Sequence, residues 1–237
     1  MRIRTPYLFL ALAGLCWTAG QAVLPDMAME TAERYDLVAA DRGAQAWAAA
    51  LLILAGWFLV LGALAVSRAV AARRRSRGAR LLTVGTGMLA LGGIWLAAGR
   101  GAFNILFLRA TDPGVPRDAG IAMLDAAGGV EFAPLLLTLP ALLLAPVVLT
   151  VGLRRAGLGS WLPLVLWVTG IGTFLASEFT VKAGEVAGIG LAAVALALIG
   201  RATSLEADEE QRTSVVPAAV DGERETLGVE QRLGDLR

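Results

Sequence analysis

Apolar residues in this chain gather in long blocks and do not alternate with polar ones. Residues 7–24, 47–67, 81–99, 132–153, 161–177 and 180–200 are each predominantly hydrophobic. Crossing a hydrocarbon core of about 30 Å takes roughly 20 residues of helix, with a working range of about 17–25. The blocks lie within or at the edge of that range, so the pattern predicts six transmembrane helices. In lipid the backbone must satisfy its own hydrogen bonds, which helices do within one segment. The period-two alternation of an outer-membrane barrel is missing. Composition agrees: 57% of the 237 residues are hydrophobic, 17% are charged and the mean hydropathy is +0.66. A soluble domain carries about 25% charged residues. The fold class expected is all-α, a polytopic membrane protein. Its domain, residues 1–201, is a bundle of six transmembrane helices with an extracytoplasmic helical cap, and residues 202–237 form a disordered cytoplasmic tail.

Charge then gives the bundle a direction. The stretch RAVAARRRSRGARLL holds six arginines between Arg68 and Arg80 and no acid. With both termini inside, the inner segments near the spans carry twelve Lys and Arg residues and the outer loops six. Such bias in short loops sets orientation, so the cytoplasmic membrane with N-in, C-in topology is expected. The run is first a topology signal, and Arg73, Arg74, Arg75 and Arg77 are candidates for anionic lipid headgroups. A nucleic-acid role is not expected, since the overall charge is only +1. The N-terminal RIR followed by YLFLALAGLCW also fits a signal peptide, with Gly20-Gln21-Ala22 as its cleavage site. The apolar run is longer than a usual signal core, which favours a retained first helix.

Two outer segments break the blocks. Within 25–47 a short amphipathic helix is expected, with Tyr35, Val38 and Ala39 on one side. In the segment after Gly99, GAFNILFLRAT spaces Phe103, Leu106 and Phe107 as a helix does. It reads as an interfacial helix or as an extension of the third span. TDPGVPRD (111–118) is a turn-rich break before GIAMLDAAGGVEF. The chain from 202 carries nine acids and, with Arg201, five arginines, with little to pack, and should be solvated.

Candidate chemistry is sparse. There is no histidine and a single cysteine, Cys16. That removes His-ligated haem, HExxH zinc sites and a CxxC redox pair. No GxxxxGK[ST] loop is present, so an enzyme is not expected, nor is any cofactor or metal. Ionisable groups inside membranes are costly and often functional. Here they cluster at the outer edge: Arg100, Glu131, Glu178, Lys182 and Glu185, with Glu185 deepest and in reach of Lys182 or Arg100. In the fourth span Pro140 and Pro146 each remove a helical hydrogen bond, marking candidate hinges. Gly184, Gly188 and Ala192 form a small-residue face, and Gly85, Gly87, Gly92, Gly93, Gly170 and Gly172 mark further helix contacts. Trp47, Trp95 and Trp161 fit interface anchors, whereas Trp17, Trp57 and Trp167 fit packing positions.

Two functions follow as expectations. The first is a non-enzymatic membrane component, structural, regulatory or accessory, that presents its outer loops or tail to a protein partner or a second copy. The second is a small solute or ion transporter or channel built on the outer Glu/Lys/Arg cluster.

Overall fold

The computed structural model describes residues 5–25, 30–71, 78–126, 139–177 and 181–204, all in helices and short connections. Glu131, Glu178 and the arginines at 73, 74, 75 and 77 lie outside the described residues. The helices are α1 (Thr5–Val23), α2 (Thr31–Ala40), α3 (Arg42–Ala71), α4 (Ala79–Ala110), α5 (Arg117–Ala126), α6 (Leu139–Arg155), α7 (Leu162–Ser177) and α8 (Lys182–Ser204). By length and composition α1, α3, α4 and α8 are each able to cross a membrane. Helix α7 is apolar but shorter, and α6 spans 17 described residues.

Helix–helix contacts run in a closed circuit. Helix α3 packs on α1 and α4, α4 on α6, and α6 on α7. Gly170 of α7 faces Gly188 of α8, and Gly14 of α1 faces Ala193 of α8. The middle of the ring is filled by apolar side chains from every member, among them Leu10, Leu59, Leu89, Leu149, Trp167 and Leu196. Leu15, Leu54, Leu64, Val168 and Val194 point outward and are exposed. That inside-out distribution suits a lipid surround, where lipid tails are as apolar as the core and close packing decides which faces meet.

Glycine supplies that packing at the α3–α4 crossing. A Cβ on Gly56 would stand 2.5 Å from the Gly93 carbonyl oxygen and 2.6 Å from Ala97 Cβ. The expected face of α8 also packs: Gly188 lies against α7 and Gly184 beside Ser177. Two glycines depart from expectation. Gly87 and Gly172 have nothing within 4 Å of the place a Cβ would take, so they mark open surface instead of contact. Trp57 departs likewise, being 60% exposed on the outer face of α3. Trp17 and Trp167 do pack, with ring centroids 6.3 Å apart.

Length decides what happens beyond the bundle. At about 1.5 Å per residue, helices of 30 and 32 residues reach roughly 45–48 Å, well past a hydrocarbon core of about 30 Å. Helix α4 gains its reach by running through the expected end of its span. Residues Trp95–Gly101 form a π-helical segment, and the helix resumes at Ala102. The GAFNILFLRAT stretch is therefore the extension of α4 and no separate interfacial helix. The projecting part carries α2 and α5 on its flank. Tyr35, Val38, Phe107, Ala110 and Leu124 bury against one another there, with Phe103, Leu106 and Ile121 packed around them. Ala39, expected on the buried side of α2, is exposed, because the apolar face of this ten-residue helix is only Tyr35 and Val38 wide. At the other end α8 continues to Ser204, so the first residues expected in the tail are helical. The Thr203 and Ser204 hydroxyls donate back to Gly200 O at 2.9 and 2.7 Å.

Candidate functional site

The end of α1 and the start of α8 meet at the cap side of the bundle. Glu185 comes in the first turn of α8 and is 5% exposed; Gln21, near the end of α1, is 2% exposed. Gln21 Nε2 donates to Glu185 Oε2 at 2.7 Å. Lys182 Nζ stands 3.7 Å from the same oxygen, on the same helix three residues earlier. A buried carboxylate is tolerated only where donors and a counter-charge face it, and Gln21 and Lys182 supply both. Of the expected cluster, Lys182 and Glu185 are thus together. Arg100 lies half-buried in the π-helical segment, and its carbonyl accepts from Asn104 Nδ2 at 2.8 Å.

Gln21 was not legible as a site residue. Its nearest signal was weak: one amide in an otherwise apolar block, at a position that also suited a cleavage site. A second buried polar pair, this one of two amides, lies beneath the cap. Gln45 Nε2 donates to Asn104 Oδ1 at 2.8 Å, tying the start of α3 to the projecting part of α4. Beside it Leu24, Arg34, Val38, Gln45, Asn104 and Phe107 line an open cavity of about 10 Å3. That is room for one water, which needs about 10–15 Å3 and polar partners.

Ion pairs fasten the cap from outside. Arg117 donates to both carboxylate oxygens of Asp36, from Nε at 2.9 Å and Nη2 at 2.7 Å, joining α5 to α2. That bidentate contact holds the Asp36 carboxyl below its ordinary pKa. Asp112 is lowered as well, first by the Gly114 backbone N–H donating to it and then by Arg42. Arg42 Nη2 also donates to Leu108 O at 3.1 Å, so the start of α3 is pinned to the top of α4. Arg34 and Arg117 lie over the rings of Phe107 and Tyr35, each about 5.9 Å from the centroid.

Pro146 sits inside α6, as the pattern required, whereas Pro140 falls in the first turn of the described helix. Pro146 has no N–H for the Leu142 carbonyl, and its ring presses on that turn. The Trp167 indole Nε1 of α7 donates to Leu143 O at 2.9 Å, next to the disturbed position. Thr150 Oγ1 donates to Pro146 O at 2.7 Å. The turn beside the proline is thereby bonded to a neighbouring helix.

Comparison with known proteins adds no relative: no family model, curated protein or solved structure matches the chain.

Proposed function

We propose that this protein is a multi-pass component of the cytoplasmic membrane that uses its outer cap as a docking surface for a protein partner. In this reading the described helices α1, α3, α4, α6, α7 and α8 are six spans, both termini are cytoplasmic, and the cap faces outward. The arginine bias of the short loops supports that orientation. The observation that carries the functional reading is the cap's own apolar core of Tyr35, Val38, Phe107, Ala110 and Leu124. Turns that merely joined spans would need no such core, nor the Arg117–Asp36 and Arg42–Asp112 pairs that brace it. Long ordered loops of this kind are where function concentrates. The apolar filling of the ring among the described residues supports a binding role.

Native mass spectrometry of the protein, extracted from its own membrane in mild detergent, tests this. A second polypeptide in fixed stoichiometry is expected, lost when the exposed cap residues Glu33, Asp118 and Asp125 are changed to Lys. A protein that always emerges alone would refute it.

A second reading, a small-solute or ion transporter, has one specific observation in its favour: the buried Glu185 with Gln21 and Lys182 around it. Glu185→Gln should then lower flux in proteoliposomes, and a mutant with wild-type flux would remove this reading.

A further inference from the structure

Between α3 and α4, at the end far from the cap, the packing is open. Ser67 and Val70 of α3 and Ala79, Arg80, Thr83 and Val84 of α4 line a groove of about 590 Å3. The Thr83 hydroxyl already donates to Ala79 O at 3.0 Å, which leaves Arg80 and the Ser67 hydroxyl as the donors on its walls. One turn further along each helix the surface becomes apolar and shallow. Leu64 is exposed there, and no atom lies within 4 Å of the place where Gly87 would carry a Cβ.

The charge that the described residues place at this end is of one sign. Among the described residues it holds Arg68, Arg80, Arg154, Arg155 and Arg201, while each described Asp or Glu lies in the cap or, for Glu185, at the cap-side end of α8. Arg155 belongs to the same rim, since its Cβ is 3.2 Å from the position a Gly78 Cβ would take. A positive rim above an apolar strip complements a phosphodiester anion with a hydrocarbon chain attached, and complements a free anion less well.

The geometry points to a binding site for one anionic diacyl phospholipid, its phosphate on Arg80 and Ser67 and an acyl chain along Val84 and Gly87. The sequence directed headgroups to the arginines at 73–77; the groove assigns the specific contact to the helix wall beside them. The inference rests on the membrane location of these helices and on neither functional reading.

Full-length protein in mild detergent, titrated with phosphatidylglycerol and followed by native mass spectrometry, tests it. Phosphatidylcholine with the same acyl chains and inorganic phosphate serve as comparison ligands. One phosphatidylglycerol is expected to be retained in preference to phosphatidylcholine. Arg80→Ala should weaken it about fivefold, the effect of one basic residue at a lipid surface. Arg201→Ala removes the same charge from the same end and should leave retention unchanged. Gly87→Leu puts bulk on the strip where the acyl chain would lie, without altering charge and on a surface with room for it, and should also weaken retention. It carries the test if the Arg80 variant fails to fold. Equal retention of phosphatidylcholine, equal effects of the two arginine variants, or capture of inorganic phosphate with the same affinity would each overturn the site. A protein that emerges without any polypeptide partner yet still holds phosphatidylglycerol sinks the cap reading and leaves this one standing.

Discussion

Gln21 and Glu185 connect the two ends of the ring, and their coupling is measurable. Gln21→Leu keeps most of the volume and removes the donor 2.7 Å from Glu185 Oε2. Glu185→Leu removes the acceptor, and the double variant removes both. A hydrogen bond to a charged group contributes about 1.5–3 kcal/mol in water-soluble proteins. Within membranes the unfolded reference state also finds partners, and measured side-chain bonds average about 0.6 and reach about 1.7 kcal/mol. Both groups here are almost fully buried, which places the pair toward the upper end of the membrane range. A coupling of about 1–2 kcal/mol is therefore expected from a double-mutant cycle. Reversible unfolding in mixed detergent micelles, followed by helical circular dichroism, reads it. Lys182 remains in all four proteins, so its contribution cancels to first order. Additivity within about 0.3 kcal/mol would show that the two side chains do not hold α1 to α8.

Three further outcomes are expected. Asp36 has its folded pKa lowered by Arg117, so its contribution to the cap is present above the unfolded value of about 3.9 and is lost as pH falls through the folded value. Limited proteolysis of the cap should then rise in acid in the wild type, and Asp36→Asn should reduce that pH dependence, leaving the part that Asp112 carries. Gly56→Ala drives a Cβ to 2.5 Å from the Gly93 carbonyl, so overpacking of about 1–3 kcal/mol should lower the unfolding temperature. Gly172→Ala, where nothing lies within 4 Å, should leave it unchanged. Trp167→Phe removes the donor to Leu143 O beside Pro146 and should cost about 0.5–1.5 kcal/mol beyond the loss of ring area. Pro146→Ala gives Leu142 O its N–H and lets the turn straighten, which should bring Val147 N–H onto Leu143 O and reduce that cost; an unchanged cost would show the indole bond does not compensate the distortion around the proline.

The sequence by itself determined the helical class, the membrane-compatible blocks and the break between α4 and α5, because each follows from local composition. A block of apolar residues can satisfy its backbone in lipid only as a helix, and TDPGVPRD cannot continue one. It also marked Gly188 as a packing face and Lys182 and Glu185 as neighbours, since residues three and four apart share one side of a helix. Where α4 ends was not legible. Apolar, aromatic and polar residues in GAFNILFLRAT suit an interfacial helix as well as a projecting one, and only the packing of α2 and α5 against Phe107 and Ala110 decides. Gln21 meets Glu185 across 164 positions of chain, a closeness fixed by how α1 and α8 close the ring. Gly87 and Gly56 look alike in sequence, yet one faces open space and the other a neighbouring carbonyl. Composition sets which segments are able to enter a membrane, but which faces then touch depends on the fit between helices, and that fit exists only in the assembled bundle.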